Sequence, residues 1–224
     1  MNLKDINKEF FSTEIEPNLA TLDLGFGDKY KDIFTKLNNS TLEETIQKCS
    51  YIKLQETVYK NYEDMLNLPI GEFLAHLKKS KDTFYKQFLN PNGNLKYIDF
   101  YLKNQQDYTK KGVYFYFVGK KLYYIGRCKD SMKQRINSGY GHITPKNCYK
   151  DGQTTNCKMN AFVLENKRKI NLKIYVMDND KQIEEYEEKL IKTLKPPLNV
   201  MFLRKSKKSI VARLIDNIWN LIKR

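Results

Sequence analysis

The sequence predicts a mixed α/β protein of the α+β kind. A helical N-terminal region is expected over residues 1–105. A small domain with three strands follows over 110–200, then a basic linker and an amphipathic helix over 201–224. Three observations lead there. Apolar residues recur at helical spacing through the first ~90 positions. From Val113 the pattern changes to short aromatic and β-branched runs, the composition of strands. The charge changes at the same place.

Residues 1–110 carry 15 basic and 16 acidic side chains, and residues 111–224 carry 25 and 10, so the whole excess of +14 lies in the second half. A field of that sign suits a polyanionic partner. A solvated lysine-rich surface is the ordinary alternative. At 41% hydrophobic and 29% charged, 224 residues can bury a core as one large or two small domains. The charged start of the chain lacks the apolar stretch of a signal peptide, and no run is long enough to span a bilayer, so no membrane contact is expected. Cys49, Cys128, Cys148 and Cys157 contain no Cys-x-x-Cys pair. That fits a reduced cytoplasmic protein, and it argues against a zinc site made from His142, Cys148 and Cys157.

The elements follow in order. Ser40-Thr41-Leu42-Glu43-Glu44 reads as a helix cap with acids in the first turn, opening a helix through Tyr51–Tyr59. Pro69 suits a first helical turn. Phe73, Leu74, Leu77, Phe84, Phe88 and Leu89 form a stripe that Ser80-Lys81-Asp82 breaks into two short helices. Lysines 78, 79, 81 and 86 would suit a helix-turn-helix, although an ordinary helical pair with a solvated basic face reads as well. Asn90-Pro91-Asn92-Gly93 is a turn. Residues 95–111 read as a polar connector. Val113–Val118 and Leu122–Ile125 flank Gly119-Lys120-Lys121 as a β-hairpin. Asp130-Ser131 caps a short helix carrying Arg135, and residues 138–156 read as a long ordered loop. A helix begins near Asn156, and Leu172–Met177 alternates as a third strand. Asp178-Asn179-Asp180 caps a helix whose face holds Ile183, Tyr186, Glu187, Leu190, Ile191 and Leu194, stopped by Pro196-Pro197. A carboxylate on an apolar face is a candidate for function. Last, Ser209–Lys223 reads as an amphipathic helix after the basic run 204–208, suited to docking on the core or on a second subunit.

Gly112-Val113-Tyr114 and Tyr124-Ile125-Gly126 stand just upstream of Arg135, and Glu187 precedes Asn199 by twelve residues. Each piece alone is common in hairpins and helices. Together, in order and on a basic segment, they resemble the GIY-YIG nucleases over roughly two-fifths of the chain. The resemblance implies a three-stranded antiparallel sheet flanked by helices. It also implies a metal-dependent phosphodiester hydrolase acting on double-stranded DNA, with one Mg²⁺ per active site that Mn²⁺ can replace. The catalytic set it implies is Tyr114, Tyr124, Arg135, Glu187 and Asn199, with Tyr140 or His142 as alternative bases and Glu187 as the metal ligand.

The chemistry suits these residue types. Mg²⁺ keeps several waters and needs few protein oxygens. Arginine is a planar, permanently charged clamp for phosphate. A phenol titrates near ~10 and needs help to act as a base at neutral pH, whereas histidine is better tuned. Arg127, Lys129, Lys146, Asn147, Gln153, Thr154 and Asn156 are candidates for DNA contact. The polar loop that holds most of them can instead simply cap the next helix. This stretch looks most like the type II restriction branch of the family. That branch implies a symmetric site, a homodimer and a companion methyltransferase. The 1–105 region would then serve as support, dimer interface or DNA contact.

Overall fold

The computed structural model describes residues 18–36 and 40–199. They divide into two compact units, each assembled from separated segments. The first takes 18–23, 104–132 and 168–199, and the second takes 24–36, 40–103 and 133–167. Residues 133–167 thus pack with the N-terminal half of the chain. The expected C-terminal amphipathic helix and the basic run before it lie outside the described residues.

The first unit is built on a four-stranded antiparallel sheet: β1 (Ala20–Leu22), β4 (Gly112–Val118), β5 (Lys121–Cys128) and β6 (Ile170–Val176), in the order β1-β6-β4-β5. The sequence predicted three strands, and they are present. The fourth comes from the N-terminal region expected to be helical, where Leu22 pairs with Leu172. Three residues are too few to show a period, so β1 left no signal. The hairpin turns at Gly119, whose φ of +59° lies in the left-handed region that favours glycine. On one sheet face Val113, Phe115 and Ile125 pack against Met177 and against Ile183, Tyr186 and Leu190 of α6 (Asp180–Leu194). Asn179 caps α6 through the amides of Lys181 and Gln182. The helix ends at Lys195, in the left-handed region, before the two prolines.

The second unit pairs β2 (Leu24–Tyr30) with β3 (Tyr97–Leu102) and surrounds them with helices. Both strands correct the sequence reading. β2 is a Gly- and Asp-bearing stretch within the expected helical region, and β3 lies inside the expected polar connector. Tyr97, Ile98, Phe100 and Leu102 of β3 are buried, but the segment is flanked by Lys, Asn and Gln, and its partner lies some seventy residues away. The helices are α1 (Leu42–Ile46), α2 (Gln55–Asn61), α3 (Ile70–Lys79), α4 (Pro145–Cys148) and α5 (Thr154–Asn166). Thr41 caps α1 in a full capping box with Glu44. The helix expected to run on to Tyr59 breaks instead into α1, a 3-10 turn and α2. The break expected at 80–82 is present, with Lys81 at φ +64°. The expected loop over 138–156 is interrupted by α4. Arg135 sits on a π-helical turn, Gln134–Tyr140, closed by Gly141 donating to the Ile136 carbonyl.

Asp82 ties this unit together. Its carboxylate accepts from the Phe84 amide at 2.8 Å and from the Tyr62 hydroxyl at 2.6 Å. The Tyr62 hydrogen bond, with the Phe84 amide second, holds its carboxyl below the usual value of 3.8. Burial, with Asp82 adding, pushes Tyr62 up to about 12. A depressed carboxyl stabilises the fold above its unfolded pKa, and that stabilisation is lost as pH falls through the folded value. Asp82→Ala should therefore cost about 1 kcal/mol at neutral pH, the usual worth of a cap. Asp82→Asn should keep much of the cap yet flatten the fall in melting temperature below about pH 4, as read by circular dichroism.

Candidate active site

Four consecutive residues of β5, Tyr124 to Arg127, organise the first unit's candidate site. Residues paired across an antiparallel ladder share a face. Tyr114 pairs with Gly126 and Tyr116 with Tyr124, so the three tyrosines stand on one face. Their ring centroids are 6.1 to 6.3 Å apart, and all three are buried. A Cβ on Gly126 would lie 2.4 Å from Cζ and from Oη of Tyr114, so the hydroxyl end of Tyr114 rests directly over this glycine. At Gly112, φ is +139° and a Cβ would meet the Tyr175 carbonyl at 2.0 Å. Both motif glycines thus answer to a steric demand, one from a ring and one from backbone.

Arg127 pairs with Val113 and therefore stands on the other face, the one α6 covers. Its guanidinium forks across two carboxylates one helical turn apart. Nη1 lies 2.7 Å from Oε2 of Glu187, and Nη2 lies 3.3 Å from Oε1 of Glu184. Lys129 reaches the same Glu184 oxygen at 2.6 Å. The Lys129 hydrogen bond, with Arg127 adding, holds the Glu184 carboxyl below its usual range. Glu187 is the enclosed member, with its side chain 14% exposed against 40% for Glu184. Arg127 and Lys129, expected at DNA, have these carboxylates as partners.

Asn199 closes the open edge. The Ile125 N–H donates to its Oδ1 at 2.8 Å, and its Nδ2 donates to the Ile125 carbonyl at 2.8 Å. The side-chain amide thus takes the part of a neighbouring strand's peptide. It fixes the chain after α6 against the Tyr-Ile-Gly strand.

The remaining expected residues belong to the second unit. Arg135 is exposed. Tyr140 is buried, and its carbonyl accepts from Asn160 at 2.7 Å. His142 is exposed, with Nδ1 3.0 Å from Oδ1 of Asp99. The Tyr30 hydroxyl accepts from the Ile143 amide. Burial first, with Asp99 adding, pushes its pKa up, so Tyr30 stays neutral beside that carboxylate. Asp99 and Tyr30 escaped the sequence reading because both strands that carry them did. Among the loop residues, Asn147 accepts from the amide and hydroxyl of Thr144, Thr154 accepts from Asn92, and Asn156 donates to Gln153. Lys146 lies at a cavity of about 150 Å³, together with Lys48, Tyr51 and Asp151.

Among the described residues no three His, Cys, Asp or Glu side chains cluster as a metal cage. The carboxylate oxygens of Glu187 are nevertheless hard donors of the kind Mg²⁺ takes, and a largely hydrated Mg²⁺ needs few of them. No helix among the described residues is long and apolar enough to cross a membrane. Comparison with protein-family models, with curated proteins and with solved structures finds no match.

Two substitutions test this geometry. Asn199→Ala strips both polar groups of Ile125 of their partner. It should lower stability by about 1–3 kcal/mol for each group left unsatisfied, measured by urea unfolding. Gly126→Ala drives a methyl into a ring hemmed by two others. A loss of about 1–3 kcal/mol and a changed near-ultraviolet circular dichroism spectrum are expected, and an unchanged spectrum would refute the contact.

Proposed function

We propose that this chain is a Mg²⁺-dependent endonuclease that hydrolyses phosphodiester bonds of double-stranded DNA, of the GIY-YIG kind and sequence-specific in the manner of type II restriction enzymes. One observation carries the proposal: the two motif pieces are locked together, with the Tyr114 hydroxyl seated over Gly126. The steric need for both glycines explains why the motif has this composition. The charge of residues 111–224 supports a nucleic-acid substrate.

Each side chain has a proposed part. Glu187 holds the metal, and bound Mg²⁺ supplies charge neutralisation at the reacting phosphate. Tyr114 is kept as the residue that would orient the attacking water, with Tyr124 packing its ring, on the sheet face opposite the one α6 and Glu187 cover. Asn199 holds the strand that carries both Tyr124 and Gly126 in place. Arg135, an exposed guanidinium of the second unit, is kept as the phosphate clamp, and Tyr140 and His142 as alternative proton acceptors. Two copies acting on a palindromic site, a companion methyltransferase and a cytoplasmic setting go with the restriction form.

One observation favours a second reading, a DNA-binding module without turnover: Arg127 already engages the carboxylate that catalysis would give to the metal.

Plasmid and phage DNA incubated with the protein and Mg²⁺ separates the two. Discrete fragments that disappear with EDTA and with Glu187→Gln are the expected result. A smear or nicked circles keeps the hydrolysis and removes the sequence specificity, as for a repair, homing or non-specific nuclease. Salt-sensitive binding without any cutting favours the inactive module. Tyr114→Phe, which keeps the ring and removes only the hydroxyl, should slow cutting by about 100- to 10,000-fold, the usual worth of a positioned acid–base group.

A further inference from the structure

The fork of Arg127 across Glu187 and Glu184 carries one step more, resting on the proposal that Glu187 is the metal ligand. We propose that Arg127 is a stand-in for the divalent cation. It neutralises Glu187 in the metal-free protein and is released as a ligand for DNA phosphate when Mg²⁺ takes the carboxylate.

Three features support this exchange. Glu187 is enclosed beneath the edge of the sheet, where an uncompensated carboxylate is costly, so a cation must be there before any metal arrives. Arginine fills that place with a charge-assisted hydrogen bond of 2.7 Å. Glu184 has its own second cation in Lys129, at 2.6 Å, so it stays balanced after the arginine leaves.

The charge count explains what the exchange achieves. Arg127 and Lys129 stand as ion-pair partners of Glu184 and Glu187. Exchange of the arginine for Mg²⁺ adds two positive charges to these four side chains, one site holding the metal and the other a fork shaped for phosphate oxygens. Metal and DNA then assist each other's binding, and by linkage the assistance is equal in both directions. The protein would present its strongest phosphate ligand only when the metal is in place.

Calorimetric titration of MgCl₂ into the DNA-free protein tests the exchange without any turnover. Arg127→Ala and the polar but uncharged Arg127→Gln should both bind Mg²⁺ about tenfold or more tightly than wild type, because no charge-assisted hydrogen bond has to be broken first. Removing a nearby positive charge also favours a cation, so a second reading is required. The affinity for a short phosphorothioate duplex, which keeps the phosphate charge and resists cutting, is measured with and without Mg²⁺. Screening by Mg²⁺ falls equally on wild type and variants. The ratio of the two affinities should be about fivefold larger in wild type than in either variant. Equal ratios overturn the exchange, as does Mg²⁺ affinity unchanged in both arginine variants. Glu187→Gln separates the two levels. If it binds Mg²⁺ as wild type does, the assignment of the metal to Glu187 is itself wrong. If it loses the metal while the arginine variants behave as wild type, only the exchange fails.

Discussion

The first unit depends on how its outer strand is finished. β5 has β4 on one side and, among the described residues, no strand on the other. The peptide of Ile125 points its N–H and carbonyl outward, and buried backbone groups without partners are costly. Asn199 answers both with one amide. The chain after α6 reaches them within five residues of the helix end, past the left-handed Lys195 and two prolines. The helix then has little choice of position. Ile183, Tyr186 and Leu190 settle on Val113, Phe115 and Ile125, and Glu184 and Glu187 come to lie against Arg127. The second unit uses the same device, where Asn160 takes the N–H and the carbonyl of Ile98 on β3 and also the Tyr140 carbonyl. A side-chain amide is a peptide group on a tether. In both units it satisfies the N–H and the carbonyl of one strand residue.

Charge and packing are coupled at α6. A helix that buries one stripe and solvates the other brings its boundary residues close to the sheet. Glu187 sits at that boundary, more enclosed than Glu184 one turn earlier. In such a place a carboxylate needs a partner with fixed geometry. Arginine provides two parallel donors, where lysine provides a point charge. Lys129 suits the more exposed Glu184 for the same reason. Arg127 on β5 thus meets the more enclosed Glu187, and Lys129, just past the strand's end, meets the more exposed Glu184.

Much of this was legible in the sequence, and the failures have physical causes. The hairpin, α6 and its cap were readable because each carries a local pattern: aromatic and β-branched runs around Gly119-Lys120-Lys121 in one case, a helical stripe with Asn179 before it in the other. The Thr41 cap and the break at 80–82 were readable for the same reason. The strands β1, β2 and β3 were not. β1 is too short for a period. β2 carries Gly25, Gly27 and Asp28, which read as turn residues until their partner strand is known. β3 is held by a pairing that no local window contains. In the candidate site, Tyr114, Gly126 and Asn199 were visible as motif positions, but the seat of Tyr114 over Gly126 and the bonds of Asn199 to Ile125 were not. The Arg127–Glu187–Glu184–Lys129 cluster was not, because it joins a strand to a helix some sixty residues later through side chains that look like any solvated charges. The same holds for Asp99 beside His142, hidden inside an unrecognised strand.

Strand geometry explains why the residues from Tyr124 to Arg127 can carry such different tasks. Successive side chains leave a strand on opposite faces, and the backbone groups alternate between the two edges. Tyr124 and Gly126 serve the tyrosine face, and Ile125 and Arg127 serve the helix face. The Ile125 peptide serves the outer edge, and those of its neighbours serve the ladder. A slip of one residue would exchange all of these at once, turning the arginine toward the rings and the tyrosine toward the carboxylates. The register is protected accordingly. The irregularity in the β4–β5 pairing falls between Tyr116 and Phe117, toward the hairpin turn, and the pairing from Gly112 to Tyr116 is uninterrupted. At the other end Gly112 is pressed against the Tyr175 backbone, where no side chain can follow. With both ends of the motif pinned and the outer edge closed by Asn199, the side chains on the two faces of β5 are held in a fixed relation along one strand.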